Sequence, residues 1–212
     1  MKDIILHSIL DRYYRGTAPM TIDEQQLGQG TITLSDPVAC QVCSNFFAVG
    51  CDRTVFLLGV QGPVNCINIE RFFNQFPNIK GGRCDYLLYN NAKIALIDLT
   101  CSIEDYIYPH LQDKKMVQGK RLYARYQIEH TLDILMQEHE IADCVNAKET
   151  KIGIFGYRVK DENSFQYIPR QIRKEEAAWL AMEKEIEQRK LSFPMSYGFK
   201  FEMVKYDNVY NW

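Results

Sequence analysis

The chain has 212 residues, of which 46% are hydrophobic and 25% are charged, a composition that excludes disordered, collagen-like and coiled-coil proteins and predicts a globular one. Lysine and arginine number 25 against 27 aspartates and glutamates, so any contact with nucleic acid must come from a local basic face. No apolar run approaches the roughly 18 residues of a membrane span, and the first residues lack a signal-peptide layout. We therefore expect a cytoplasmic protein with no membrane partner.

The N-terminal part of the chain mixes helical and strand patterns. Apolar residues at helical spacing run up to Gly16, and Ser35-Asp36-Pro37 supplies an N-cap and a proline for the first turn of a second helix. The predicted elements are a helix, a loop, a strand, a helix and a strand, over residues 3–15, 17–30, 31–34, 37–50 and 54–60. We interpret residues 1–60 as an extension of the main core.

Two strand-like runs, 83–89 and 93–100, dominate the centre of the sequence. They flank Asn90-Asn91, whose side chains tolerate the positive φ of a tight hairpin turn. The surrounding pattern predicts helices over 65–76, 119–141 and 170–191, and strands over 151–159 and 196–206. We expect the last helix to turn one apolar stripe inward, formed by Ile172, Trp179, Met182 and Ile186.

No repeat, low-complexity tract or flexible linker interrupts the chain, and its composition does not shift along its length. We therefore predict one α/β (α+β) domain over residues 1–212, with a mixed central sheet flanked by helices. The hairpin should lie in the middle of that sheet, because both of its faces are apolar. The helix and strand over 170–206 complete the domain at its C-terminal end.

One face of the hairpin carries two carboxylates. A two-residue turn at Asn90-Asn91 pairs Leu87 with Ile94. That register places Asp85 and Asp98 on the same face as diagonal neighbours. Two ionised carboxylates so placed repel each other and lose hydration unless a cation compensates. Mg²⁺ or Mn²⁺, as one or two ions, suits such oxygen ligands and is the expected cofactor.

At these residues the sequence resembles the PD-(D/E)XK nuclease superfamily. In that family an acidic helix residue precedes a hairpin with Asp on its first strand and Asp or Glu, one residue, then Lys on its second, and the next helix often bears Gln. The matching residues here are Glu70, Asp85, Asp98 and Gln127, within a core of about 65–160. The resemblance implies a restriction-endonuclease-like fold in which Glu70, Asp85 and Asp98 bind the metal.

The same resemblance implies an activity. It suggests a divalent-metal-dependent phosphodiesterase, similar to a DNA endonuclease, that serves restriction, repair, recombination or phage defence. Members of the superfamily often act as homodimers or beside a partner protein subunit, and DNA is the implied substrate. The residues alone do not choose among these pathways.

The chain departs from the family at Thr100, where the motif has lysine. A threonine cannot supply positive charge to the transition state. Some members recruit a lysine from another position, and Lys120 is the best substitute here because it shares a helical stripe with Tyr123 and Gln127. The predicted catalytic set is Asp85, Asp98, Thr100, Lys120 and Gln127.

Basic residues and cysteines add two further expectations. A basic cluster follows the hairpin, and we expect it to contact phosphates through Lys114, Lys115, Arg121 and Arg125. The spacing of Cys40 and Cys43 is that of a zinc or redox site, but Cys51 and Cys66 stand alone. The pattern therefore favours buried free thiols over structural zinc.

Two alternatives to an active nuclease stay open. Thr100 can mark a site that has lost activity, which leaves a catalytically silent nuclease fold that acts as a binding or assembly module in a complex. A third interpretation is an interaction protein without nuclease ancestry, in which hydrogen bonds cap Asp85 and Asp98. A metal between these carboxylates, with a lysine amine within reach, distinguishes the enzyme from both alternatives.

Overall fold

The computed structural model describes residues 1–14, 16, 19–35, 55–103, 107–112, 115–158, 174–206 and 208–212. Three expectations lie outside these residues. They concern the helix over 37–50, the cysteine pair Cys40 and Cys43 that it contains, and the phosphate contact of Lys114.

The described part of the chain forms five helices and eleven strands. The helices are α1 (Lys2–Tyr13), α2 (Ile69–Phe73), α3 (Lys120–Met136), α4 (His139–Asn146) and α5 (Lys174–Ser192). The strands are β1 (Glu24–Leu27), β2 (Gly30–Ser35), β3 (Val55–Val60), β4 (Val64–Asn68), β5 (Tyr86–Tyr89), β6 (Lys93–Ile103), β7 (His110–Gln112), β8 (Lys115–Val117), β9 (Thr150–Arg158), β10 (Lys200–Lys205) and β11 (Val209–Asn211). No helix in these residues is both long and apolar enough to cross a membrane.

Six strands form the main sheet, in the order β1-β4-β5-β6-β9-β10. The pairs from β1 to β6 are antiparallel, whereas β9 runs parallel to both β6 and β10. The sheet is therefore mixed, and β6 lies between an antiparallel and a parallel neighbour. A smaller sheet has the order β11-β3-β2, and β7 pairs with β8 in a separate hairpin. The predicted α/β class with a mixed sheet flanked by helices is confirmed.

The central strands of the main sheet are buried on both faces. Helices cover one face, where Phe72 and Ile128 belong to the same apolar cluster as Leu87 and Leu96 of the sheet. The small sheet covers the other face, where its strands β2 and β3 pack against Leu88 and the other side chains that point to that face. Strand β5 is accordingly buried along its whole length, as its unbroken apolar sequence predicts for a strand covered on both sides.

The register of the central hairpin differs from the expected one. The N–H of Asn90 donates to the carbonyl of Lys93 at 3.0 Å, so the turn residues are Asn91 and Ala92. Leu87 therefore pairs with Leu96 rather than with Ile94. This is a shift of two residues, and a shift of two keeps every side chain on its expected face.

Three helices also depart from expectation. The one predicted over 65–76 is shortened to α2, because residues 64–68 form strand β4. The helix predicted over 119–141 is divided into α3 and α4, and the intervening Glu138 pairs with Arg12 at 2.5 Å. The stripe of α5 that was expected to face inward is exposed at Trp179, Met182 and Ile186. Ile172 of that stripe lies outside the described residues.

Candidate active site

A cavity of about 200 Å³ opens on the helical face of the main sheet, beside the first two turns of α3. All six residues that the sequence predicts as metal ligands or catalytic groups line it. The complete lining consists of Glu70, Asp85, Asp98, Leu99, Thr100, Lys120, Tyr123, Gln127 and Phe155. The structure thus brings together residues from α2, α3, β6 and the segment before β5.

Backbone hydrogen bonds place Asp85 at the centre of this arrangement. Its N–H donates to the carbonyl of Ile97 at 2.9 Å, which ties it to β6. Its carbonyl accepts from the N–H groups of Ile69 and Glu70, at 2.9 and 3.3 Å. The first turn of α2 is therefore fastened to the hairpin, and Glu70 is brought to the cavity that Asp85 and Asp98 line.

Asp85 and Asp98 are each only 6% exposed. The Oδ2 atom of Asp85 accepts a hydrogen bond of 2.6 Å from the N–H of Leu99, the residue after Asp98. Such a charge-assisted bond offsets part of the cost of removing a carboxylate from water. Burial raises the pKa of the Cys84 thiol well above its usual range, and the charges of Asp98, Asp85 and Glu70 raise it further. Three carboxyl groups therefore lie around one cavity, beside this thiol.

Helix α3 holds the segment that leads into Asp85. The side-chain amide of Gln127 donates to the carbonyl of Arg83 at 2.9 Å, and Nδ1 of His130 lies 2.9 Å from the carbonyl of Gly82. The hydroxyl of Thr131 accepts from the N–H of Cys84 at 3.1 Å. Three side chains on one face of the helix thus fix three consecutive residues before the carboxylate.

Two glycines allow the side chains of α3 to approach the segment before Asp85 closely. Gly81 adopts a φ of +97°, a conformation that residues with a Cβ rarely adopt. A Cβ at Gly82 would lie 2.8 Å from Cγ of Gln127. In the sequence, the adjacent glycines Gly81 and Gly82 are the one sign that α3 packs closely against this segment. The sequence predicts no role for these glycines, His130 or Thr131.

Two cations occur near the acidic groups. Lys120 is exposed in the first turn of α3, and its Nζ lies 6.0 Å from the ring centroid of Tyr123. Arg83 is half-buried, and burial lowers its pKa whereas the charge of Glu70 raises it. The Arg83 guanidinium donates to the side chain of Asn74 and to the carbonyl of Ile79. Of the two, Lys120 lines the cavity.

The expected phosphate contacts of Arg121 and Arg125 are corrected by the structure. Nε of Arg121 lies 2.8 Å from Oε2 of Glu187 on α5, and both side chains are buried. Arg125 is also buried and donates to Glu129 and to the backbone carbonyls of Lys190, Leu191, Phe193 and Pro194. Neither guanidinium can reach a phosphate without breaking these bonds, so both serve to attach α5. Lys115 is exposed on β8.

The donor set of the cavity fits a hard divalent cation. Among the residues that the structure describes, no three histidine, cysteine, aspartate or glutamate side chains already converge as a metal cluster. Mg²⁺ is typically held by one or two carboxylates together with waters and substrate phosphates. Asp85 and Asp98, with Glu70 on the same cavity, supply carboxylates of that kind. Cys66 and Cys84 are buried free thiols and do not line the cavity.

In comparison with known proteins, the chain matches no family model, no curated protein and no solved structure. The fold defines an α/β protein, and α2, α3, β6 and the segment before β5 bring three carboxyl groups and one exposed lysine to one cavity. A functional assignment must follow from that arrangement and from the chemistry of its side chains.

Proposed function

We propose that the chain is a divalent-metal-dependent phosphodiesterase of the PD-(D/E)XK type that acts on DNA. One observation carries the proposal: Glu70, Asp85, Asp98, Thr100, Lys120 and Gln127 line one cavity. These are the residues that the sequence predicts as metal ligands or catalytic groups, and they come from four separate segments of the chain. Their convergence supports a common chemical role.

The acidic residues would hold Mg²⁺ or Mn²⁺. Asp85 and Asp98 are the direct ligands in this proposal, and Glu70 holds the ion or one of its waters. The bound cation would lower the pKa of a water molecule and offset negative charge on the phosphate oxygens. The N–H of Leu99 keeps one Asp85 oxygen in place, which fixes the orientation of this carboxylate at the cavity.

The remaining residues would contact the phosphate or position the metal ligands. Lys120 offers a positive charge to a non-bridging phosphate oxygen, which the motif lysine provides in the family. Thr100 contributes a hydroxyl, which can donate or accept a hydrogen bond but carries no charge. Gln127 positions Asp85 through the carbonyl of Arg83.

A plasmid-nicking assay tests the proposal. Supercoiled plasmid is incubated with the chain in Mg²⁺, in Mn²⁺ and in EDTA, and the relaxed form is quantified. We expect metal-dependent relaxation that Asp98→Asn abolishes. Asp143→Asn on α4 is the matched control, because this carboxylate is exposed and pairs with His139. Absence of relaxation with every metal, or equal relaxation by Asp98→Asn, would overturn the proposal.

One observation favours a second candidate, a catalytically silent nuclease fold that acts as a binding or assembly module. The 2.6 Å bond from Leu99 gives Asp85 a structural role that needs no metal. Thr100 in place of the motif lysine is consistent with a site that has lost its activity. This candidate predicts no cleavage by the wild type together with a clear loss of stability in Asp85→Ala.

A further inference from the structure

Helix α5 carries an apolar stripe that is exposed in the described part of the chain. Trp179, Met182 and Ile186 are 44%, 51% and 38% exposed, and their spacing of three and four residues places them on one side of the helix. Among the side chains of α5, all of which the structure describes, Glu187 is the buried one. Large apolar side chains grouped on a surface in this way mark interaction sites.

The two ends of α5 carry opposite charges. Glu175 and Glu176 lie in its first turn, and Arg189 and Lys190 lie in its last turn. Arg189 also pairs with Glu185 of the same helix at 2.6 Å, a bond between exposed groups that contributes little to stability. A helix with this charge distribution is complementary to a second copy of itself when the two run antiparallel, and it is not complementary when they run parallel.

We propose that a second copy of this chain docks along α5 in an antiparallel arrangement. Trp179 of each copy then lies opposite Ile186 of the other, with Met182 near the twofold axis. In the same register Glu175 lies opposite Lys190, and Glu176 lies opposite Arg189. One register thus pairs both the apolar and the charged residues, and the symmetry makes each contact occur twice. The proposal does not depend on whether the site is catalytic.

A groove of about 220 Å³ beside α5 adds to this surface. Ile186 and Lys190 line it together with Leu122 of α3, Met116 of β8 and Pro109. A stable interface buries about 800 Å² on each partner, which is more than three side chains provide. Gln118, Glu183 and Glu187 also line the groove, which meets the stripe at Ile186, so a docked helix would cover both.

Sedimentation equilibrium of the full chain over a concentration series tests the proposal. We expect wild type to associate as a dimer. Trp179→Ala should raise the dissociation constant about tenfold at each of its two symmetric contacts, and so about a hundredfold in all. The matched control is Tyr126→Ala on α3, which removes an exposed aromatic side chain outside the stripe and should leave the constant unchanged.

A charge exchange tests the antiparallel register. The variant Glu175→Lys/Glu176→Lys and the variant Arg189→Glu/Lys190→Glu should each be monomeric, because each places like charges at both ends. An equimolar mixture of the two should associate again, which also shows that both variants are folded. Monomeric wild type at every concentration would overturn the proposal. So would a Trp179→Ala variant that associates like wild type, or a mixture that associates no better than its components.

Discussion

The side-chain amide of Gln127 donates a hydrogen bond of 2.9 Å to the backbone carbonyl of Arg83. Arg83 lies two residues before Asp85, so α3 determines where the chain presents this carboxylate. The family resemblance implies a catalytic role for Gln127, but its amide nitrogen is bonded to the protein backbone. We therefore assign it a positioning role that it shares with His130 and Thr131.

Lys120 should be the cation that the reaction needs. Lys120→Ala is expected to lower the rate of plasmid cleavage by about 10²–10³, the usual effect of removing one electrostatic partner of a transition state. The side chain is exposed, so the free energy of unfolding should change by less than about 0.5 kcal/mol. The control is Lys200→Ala, which removes an exposed lysine of β10 that does not line the cavity. Equal cleavage by Lys120→Ala and wild type would exclude Lys120 from this role.

Thr100→Lys tests whether the motif position can still accept a lysine. Thr100 is half-buried and lines the cavity, so a longer side chain can extend into that space. We expect the variant to fold and to cleave at least as fast as wild type. In the background of Lys120→Ala it should restore part of the lost rate. A double variant no faster than Lys120→Ala would show that charge at this position does not assist the reaction.

The face of the hairpin that carries the carboxylates could be predicted, whereas the turn could not. Alternation of side chains determines the face, and an error of two residues in register leaves it unchanged. Both Asn90 and Asn91 favour a turn. The choice is made by the side chain of Asn90, whose oxygen accepts from the N–H groups of Ala92 and Lys93 at 3.0 and 2.8 Å.

Local sequence patterns could not predict which residues pack against α3 and α5. Helical periodicity identifies an apolar stripe on α5 but does not say what covers it, so Trp179 was expected inside and is exposed. The basic cluster predicts a phosphate contact for Arg121, because the sequence gives no sign of its buried partner: Glu187 lies 66 residues further along the chain. Contacts at such separation depend on the tertiary fold.

A divalent cation should stabilise the folded chain. Binding at 100 times the dissociation constant adds about 2.7 kcal/mol to the free energy of unfolding, and each kcal/mol raises the Tm by about 2–4 °C for a chain of this size. Thermal melts in Mn²⁺ and in EDTA should therefore separate. Asp98→Asn should melt higher than wild type in EDTA, because it relieves repulsion with Asp85, and it should not respond to Mn²⁺. Wild-type melts that superimpose would count against the metal site.

The pair of Arg121 and Glu187 should behave as a buried ion pair. Burial raises the pKa of Glu187 although the charge of Arg121 lowers it, which indicates that desolvation is the larger effect. Arg121→Met should cost about 3–5 kcal/mol because it leaves a buried carboxylate without its partner. The double variant Arg121→Met/Glu187→Met should recover most of this loss in urea unfolding. Additive losses would mean that the two side chains do not act as a pair.

The cysteines should differ in reactivity. Burial raises the pKa of the Cys66 and Cys84 thiols, so both stay protonated and inert in the folded chain. Cys144 is half-buried and should react with iodoacetamide before Cys66 and Cys84, because its sulfur is more accessible. Peptide mapping reports each residue separately. Labelling of Cys84 at the same rate as Cys144 would contradict the burial, and denatured chain should label all three alike.

Strand β6 carries Asp98 and forms backbone hydrogen bonds with strands on both of its edges. Detaching β6 therefore requires two strand pairs to separate. The free energy of this local opening approaches that of unfolding the whole sheet. Helix α5 buries a single side chain in the described structure and is held by the bonds of Arg121 and Arg125, so it can detach at a lower cost than the sheet. The acidic site and the proposed docking surface therefore belong to different cooperative units, and local unfolding of α5 would end self-association while the carboxylates stay in place.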